Sequence, residues 1–331
     1  MKDDLEPYAP YGLVHDPATA GLRRVVVRTR VGPVVLHVSP RRTSGPATVL
    51  LHGAAGSWTT WTPLLQAADA AGSRPADLVL VDLPGWGESP FPDRPLSNGR
   101  SAVSVEAYAG VVRDAVTALG YHSWHLLGHS MGGFIALHLA VAEPARTESV
   151  SLVSPTGPAV VEAARHPVVG LVRMPGFAGL RAVMRAFAPG GGAASVLLTA
   201  LGRLGLLKPV VAPLFARPSN VPGEVLATLA REVRPESFAA AARAAAAYDL
   251  GRWSGIRCPV YSVRGARDVF VSADDDQRMT ELLPGLGITE VAAAGHFAHI
   301  EAPATVLAAL KAARRGYGEN GLIGCAVSRR E

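Results

Sequence analysis

The chain has 331 residues, 49% of them hydrophobic and 18% charged, enough to bury a sizeable core and too apolar to remain disordered as a whole. Its net charge of +5 and pI near 9.5 raise nucleic-acid binding, but no Lys/Arg cluster is interleaved with aromatics, so that class is set aside. Two cysteines, Cys258 and Cys325, have no metal-ligand spacing and imply no disulfide framework.

The first residues, MKDDLEPYAPYGLVHDP, lack the basic start and apolar run of a secretory signal, and a cytoplasmic location is expected. Residues 23–38 (RRVVVRTRVGPVVLHV) read as two strands broken at Gly32-Pro33, an antiparallel opening hairpin. Strands follow at 48–51 and 78–81, each ending in a Gly-containing loop, and at 124–127, which runs into Gly128-His129-Ser130. Helical periodicity marks 105–119, stopped by Gly120, and 131–143, stopped by Pro144. Further strands are expected at 149–153, 259–264 and 288–292. Short β-branched runs alternating with helices predict an α/β class with a mostly parallel sheet covered on both faces.

From about residue 158 to 250 the strand alternation gives way to Ala/Leu/Val-rich helical pieces punctuated by Pro and Gly. A structureless connection of that length is improbable, so an inserted helical lid over the strand ends is expected. Three units result: residues 1–157 as the first part of the core, 158–250 as the lid, and 251–331 as the second part, with 316–331 a loosely held tail. Residues 186–202 are the best stretch to test as a membrane span, but Pro189 and the Gly190-Gly191-Gly192 run make them a poor one.

Gly128-His129-Ser130-Met131-Gly132 matches G-x-S-x-G between a strand and a helix, the context in which a sharp turn lifts the Ser hydroxyl above the sheet edge. A purely structural strand-to-helix turn is the competing account. A Ser nucleophile needs a His within reach and a carboxylate to fix the tautomer of that His. Among ten histidines, His296 follows the last strand beside Gly295, with His299 as its nearest rival. His129 is expected to point away from the nucleophile, His125 and His138 to be core or surface residues, and His52 to brace the loop beside the oxyanion site. Asp268, just past the penultimate strand, completes the order Ser, Asp, His; Asp274-Asp275-Asp276 suits instead a helix start, as capping or solvated groups. The oxyanion donors expected are the backbone N–H of Met131 and, from the loop His52-Gly53-Ala54-Ala55-Gly56, that of Ala54.

Taken together, His52-Gly53, the run from Asp82 to Ser89 (DLPGWGES), residues 128–133 and Gly295-His296 through Glu301-Ala302-Pro303 resemble the α/β-hydrolase superfamily, closest to its lid-bearing serine hydrolases and esterases. The resemblance implies an eight-stranded, mostly parallel sheet with a lid after the sixth strand. It argues against epoxide hydrolases and haloalkane dehalogenases, which place an Asp where this chain has Ser130. The stretch from Asp82 is similar to a loop that is mainly structural in that family.

The expected function is hydrolysis of a carboxylic ester or lactone through an acyl-enzyme on Ser130, without metal or organic cofactor. A carbon-carbon bond hydrolase, an acyltransferase and a non-catalytic small-molecule receptor remain alternatives on the same scaffold. The substrate is expected to be a small apolar or acyl compound. Residues 163–223 hold seven cations (Arg165, Arg173, Arg181, Arg185, Arg203, Lys208, Arg217) and no Asp or Glu. Either apolar helices carry them for solubility, or a basic lid attracts an anionic acyl substrate or carrier or rests on an acidic membrane surface.

Overall fold

A computed structural model of the chain describes residues 6–92, 101, 103–188, 200, 201, 204 and 206–324, with side chains described as far as residue 313. Strands β1 (Arg23–Thr29) and β2 (Gly32–Val38) form the opening hairpin, with Thr29 opposite Gly32. Gly32 turns it at φ 121°, a backbone angle that other residues resist. β2 also runs antiparallel to β4 (Leu78–Val81). The remaining strands, β3 (Ala47–Leu51), β5 (Trp124–His129), β6 (Thr147–Val153), β7 (Val260–Gly265) and β8 (Gly287–Val291), are parallel to their neighbours, in the spatial order β1-β2-β4-β3-β5-β6-β7-β8. The fold class is therefore the expected one: α/β, with eight strands and all but one pointing the same way. β3 and β4 are covered on both faces, which is why they read as unbroken apolar runs instead of alternating ones. At the exposed edge, β1 places Arg23, Arg24 and Arg28, charges that discourage pairing with another chain.

Helices cover both faces. On one side, α2 (Val105–Ala118) and α3 (Met131–Ala142) pack Tyr108, Phe134 and Trp124 together with Trp86 and Trp253. Ser104 starts α2, its Oγ accepting from Ala107 N at 3.1 Å. α3 is apolar all round because it is buried all round. On the other side, α1 (Thr62–Ala70) and the final helix set Trp58, Trp61, Leu64 and Leu65 against Val306 and Leu310.

Between β6 and β7 lie α4 (Pro158–Arg165), α5 (Pro167–Arg173), α6 (Pro175–Phe187), α7 (Lys208–Val211), α8 (Gly223–Arg231) and α9 (Pro235–Ala247). The prolines that punctuate this stretch open helices: all but α8 carry one in the first two positions, where the missing N–H costs nothing. After β7 come α10 (Ala273–Leu282), α11 (Ala298–Glu301) and α12 (Pro303–Gly324). The tail expected at 316–331 is helical as far as Gly324; residues 325–331, with Cys325, lie outside the described residues, as does most of the 186–202 stretch. Among the described residues no helix is long and apolar enough to cross a membrane.

The acidic run at the start of α10 differs from expectation at one residue. Asp274 is exposed and Asp276 pairs with Arg264, but Asp275 is buried and reaches out of its own helix to accept from Ala159 N at 2.8 Å, capping α4 from outside. Its second oxygen, Oδ2, has no hydrogen-bond partner among the described residues, and burial pushes its pKa up to about 6. A carboxyl that binds its proton more tightly folded than unfolded contributes stability that is full below about pH 4 and is lost as pH rises through about 6. Asp275→Asn keeps the acceptor without the charge. Measured by urea unfolding, the variant should gain on the wild type by on the order of 1–2 kcal/mol between pH 4 and pH 7.5, because the Ala159 amide and Arg278 offset some of the burial.

Candidate active site

Four loops leave the carboxyl ends of parallel strands β3, β5, β7 and β8 and converge, as expected for a ligand site on an open α/β sheet. Ser130 directly follows β5, Ala54 comes three residues after β3, Asp268 three after β7 and His296 five after β8. Ser130 sits at φ 50°, ψ −118°, a conformation few side chains tolerate, as the first turn of α3 begins. Its backbone is pinned from both sides: Ser130 N donates to Val153 O at 3.1 Å, and Ser130 O accepts from Thr156 N at 3.0 Å.

The glycines around it are required by contact. A Cβ on Gly132 would lie 2.1 Å from Leu51 O, and one on Gly128 would lie 2.6 Å from the Gly132 backbone. One on Gly53 would meet the Ser130 Cβ at 2.9 Å, so the β3 loop lies directly against the Ser130 turn. This places Ala54, whose neighbour Ala55 has φ 58°, on the wall of the same cavity as Ser130 and Met131. His52 braces the loop as expected: Nδ1 donates to Gly53 O at 2.8 Å and Nε2 accepts from Leu83 N at 3.0 Å. Burial lowers its pKa, and the two bonds together require the neutral ring.

His296 faces Asp268, with Nδ1 3.0 Å from each carboxylate oxygen. A carboxylate only accepts, so Nδ1 carries the proton and Nε2 keeps its lone pair. Asp268 Oδ1 also accepts from Phe270 N at 2.8 Å and Val271 N at 3.2 Å. Burial pushes the Asp268 carboxyl up, but the charge and hydrogen bond of His296 and the Phe270 amide outweigh it and hold the group below its usual range. Phe270 meets the His296 ring edge-on at 4.8 Å. The rival His299 is buried beneath, 4.6 Å from the Trp61 ring and 4.5 Å from His129, and burial followed by the nearby His296 pushes its pKa down to about 3. His129 points under the His296 loop, where Nε2 donates to the His296 carbonyl at 3.0 Å.

The residues whose roles the motifs do not announce are Glu301, which stands in one of them, and Tyr8 and Arg234, which stand in none. Glu301 accepts from Gly295 N at 2.9 Å, Ala216 N at 2.8 Å and Tyr8 OH at 2.5 Å, while His296 N donates to Leu214 O at 2.8 Å. One buried carboxylate thus joins the His296 loop, the helical insertion and the amino-terminal segment. Gly295 is needed because a Cβ there would lie 2.8 Å from Leu214 O and from Ala216 N.

Ser130, Met131, Ala54 and His296 open on one cavity, walled mainly by Phe134, Phe177, Phe238, Phe270 and the alanines of α9. Of the seven cations between 163 and 223, Arg203 lies outside the described residues and the other six are absent from the described wall. These six cations therefore do not form the described wall: Arg165, for one, donates to Ala246 O, and Arg173 pairs with Glu162. The cation in the described wall is Arg234 on the loop before α9, whose Nη2 donates to Gly87 O at 2.8 Å and Glu232 Oε2 at 3.1 Å.

Comparison with known proteins places this architecture. Residues 48–310 match the model of the alpha/beta hydrolase family. The chain belongs to that family. It is 27% identical over 280 residues to a 2-hydroxy-6-oxononadienedioate/2-hydroxy-6-oxononatrienedioate hydrolase of Burkholderia vietnamiensis, covering 80% of this chain and 86% of that one. It is also 35% identical over 116 residues to a 2-hydroxy-6-oxo-6-phenylhexa-2,4-dienoate hydrolase of Burkholderia cepacia, 34% of this chain and 37% of the relative. A solved carboxylesterase from Bacillus subtilis shares the fold with a TM-score of 0.65 at 18% identity, over 91% of this α/β-fold hydrolase and 95% of its own chain.

Proposed function

We propose that this α/β-fold hydrolase is a serine hydrolase acting on an apolar acyl compound, with a carboxylic ester or lactone as the bond cleaved. The observation that carries the reading is a strained Ser130 and a His296 whose Nδ1 is occupied by Asp268, opening on one apolar cavity. Ser130 Oγ attacks the carbonyl carbon as His296 Nε2 takes its proton. The N–H groups of Ala54 and Met131 stabilise the oxyanion, with the positive end of the α3 dipole behind them. The tetrahedral intermediate collapses as His296 returns the proton to the leaving group, and water, activated by the same Nε2, releases the acid and restores Ser130. The insertion between β6 and β7 serves as the lid, since Phe177, Leu180, Met184 and Val211 supply the cavity roof.

Labelling with a fluorophosphonate, followed by a p-nitrophenyl ester series of increasing acyl length, tests this directly. Wild type should label and Ser130→Ala should not; an unlabelled wild type would end the serine reading. The named activities of the Burkholderia relatives favour a second reading, carbon-carbon bond cleavage of a vinylogous diketone. Turnover of such a diketone at a higher kcat/KM than any ester would replace the first reading with it.

Arg234 supplies a selectivity prediction. It is a cation on a largely apolar wall, and its charge is partly balanced by Glu232. Arg234→Gln should lower kcat/KM for an ω-carboxylated ester by about tenfold, while the neutral ester of equal length changes little. Equal losses on both substrates would instead assign Arg234 to holding the Gly87 loop.

A further inference from the structure

The outer surface of the insertion is built against the usual rule for a water-facing helix. On α5, Val168, Leu171 and Val172 are 77%, 63% and 78% exposed, and on α6 Val183 and Phe187 are exposed beside them. Leu204 and Leu206, further along the insertion, are exposed as well. Single exposed aliphatic residues are ordinary, but this group gathers on one short helical pair whose opposite face is already used: Gly170 packs on Ala163, and Phe177 and Met184 are buried under α6. The exposed side chains are therefore not surplus core.

The stretch of sequence that carries them has charge of one sign, though Glu162 and Asp274 lie beside the end of α5. No Asp or Glu occurs between residues 163 and 223. Arg185, on α6 between Val183 and Phe187, is exposed. Lys208, at the start of α7, has no ion pair among the described residues. Arg173 at the end of α5 is 66% exposed, with Glu162 of α4 at 3.4 Å. Large aliphatic side chains interspersed with cations, on a segment whose own sequence holds no carboxylate, are the composition that enters the headgroup region of an anionic bilayer, the apolar groups reaching the acyl boundary while Arg and Lys meet the phosphates.

We infer that the outer face of α5 and α6 docks on a membrane surface rich in anionic lipid. The inner face of α6 roofs the Ser130 cavity, through Phe177, Leu180 and Met184. Docking would therefore hold the cavity roof at the depth where acyl chains begin. The docking stands on composition and exposure alone and does not depend on which bond Ser130 cleaves.

Flotation of the full chain with vesicles tests it, using equal parts phosphatidylglycerol and phosphatidylcholine against phosphatidylcholine alone. The wild type should float with the anionic vesicles at low salt and bind the neutral ones at least about tenfold more weakly. Arg185→Glu with Lys208→Glu should abolish the preference for anionic lipid. Leu171→Glu with Val172→Glu, at positions too exposed to disturb folding, should release the protein from both vesicles with its melting temperature unchanged. The inference is overturned if the wild type stays with the lipid-free fraction, or if the Leu171/Val172 double variant floats as the wild type does. It is equally overturned if the same variant abolishes a concentration-dependent dimer seen by sedimentation while no vesicle binding occurs, which would give the face to a second copy of the chain.

Discussion

Replacing Asp268 by Asn should lower kcat by about 10⁴-fold with KM little changed, the size of loss that follows when the imidazole is held in the wrong tautomer. The structure shows why the isosteric change would be so damaging. Asp268 Oδ1 is fixed by the amides of Phe270 and Val271, at 2.8 and 3.2 Å, which will accept only an oxygen at that place. The Asn carbonyl must therefore take the Oδ1 position, and its NH₂ group the Oδ2 position, each 3.0 Å from His296 Nδ1. With a donor now as close to Nδ1 as the acceptor, the tautomer that carries its proton on Nε2, and so lacks the lone pair that would receive the Ser130 proton, is no longer excluded. Fluorophosphonate labelling should slow in parallel, since it uses the same base. A variant that kept more than about a tenth of wild-type kcat would show that Asp268 does not set the tautomer.

The same carboxylate makes a prediction about acid. Its pKa is held below the usual range, chiefly by His296 against the opposing effect of burial. Its contribution to stability is then present above the unfolded carboxylate range and is lost as pH falls through the lower folded value. Asp275 has the opposite sign, so the two acids, seven residues apart, should give unfolding profiles that shift in opposite directions when each is changed to Asn.

What could be read in the sequence was whatever a short run of residues dictates by itself. The order of strands and helices, the G-x-S-x-G turn with its glycines, and the strand-end positions of Asp268 and His296 all rest on local spacing, and the observed strands differ from the expected ones by one or two residues at their ends. The His52 loop was legible for the same reason. Other features depend on contacts between distant parts of the chain, which leave no periodicity behind. Glu301 and Tyr8 are 293 residues apart, and Gly87 and Arg234 are 147 apart. Composition showed the cations of residues 163–223 as a group but not their placement: whether they faced the cavity or the outside depended on how α5 and α6 pack, which an Ala/Leu/Val-rich segment does not encode locally.

Glu301→Gln should lower kcat by up to about 100-fold, the range found when a group that orients a functional side chain from behind is lost. Glu301 accepts from two backbone amides and a phenol, and an amide side chain has one acceptor oxygen for them. Tyr8 cannot relieve the shortage by turning its hydroxyl around, because that oxygen already accepts from Arg217 N at 2.8 Å. At least one of Gly295 N, Ala216 N and Tyr8 OH must then face an NH₂ group in a buried place, at a cost that moves backbone before it is tolerated. The backbone nearest to hand is Gly295, one residue from the base, and the segment 214–216 that holds His296 N. The variant should therefore lose kcat well below its melting temperature, with His296 displaced from Asp268. Tyr8→Phe, which removes a single donor and leaves the two amides satisfied, should lose less than about tenfold. If Glu301→Gln instead melts earlier but turns over at the wild-type rate when folded, the carboxylate joins the three segments without positioning His296. Comparing the ¹H NMR signal of the His296 Nδ1 proton in the two variants separates these outcomes, because a purely structural loss leaves that proton between His296 and Asp268 unshifted.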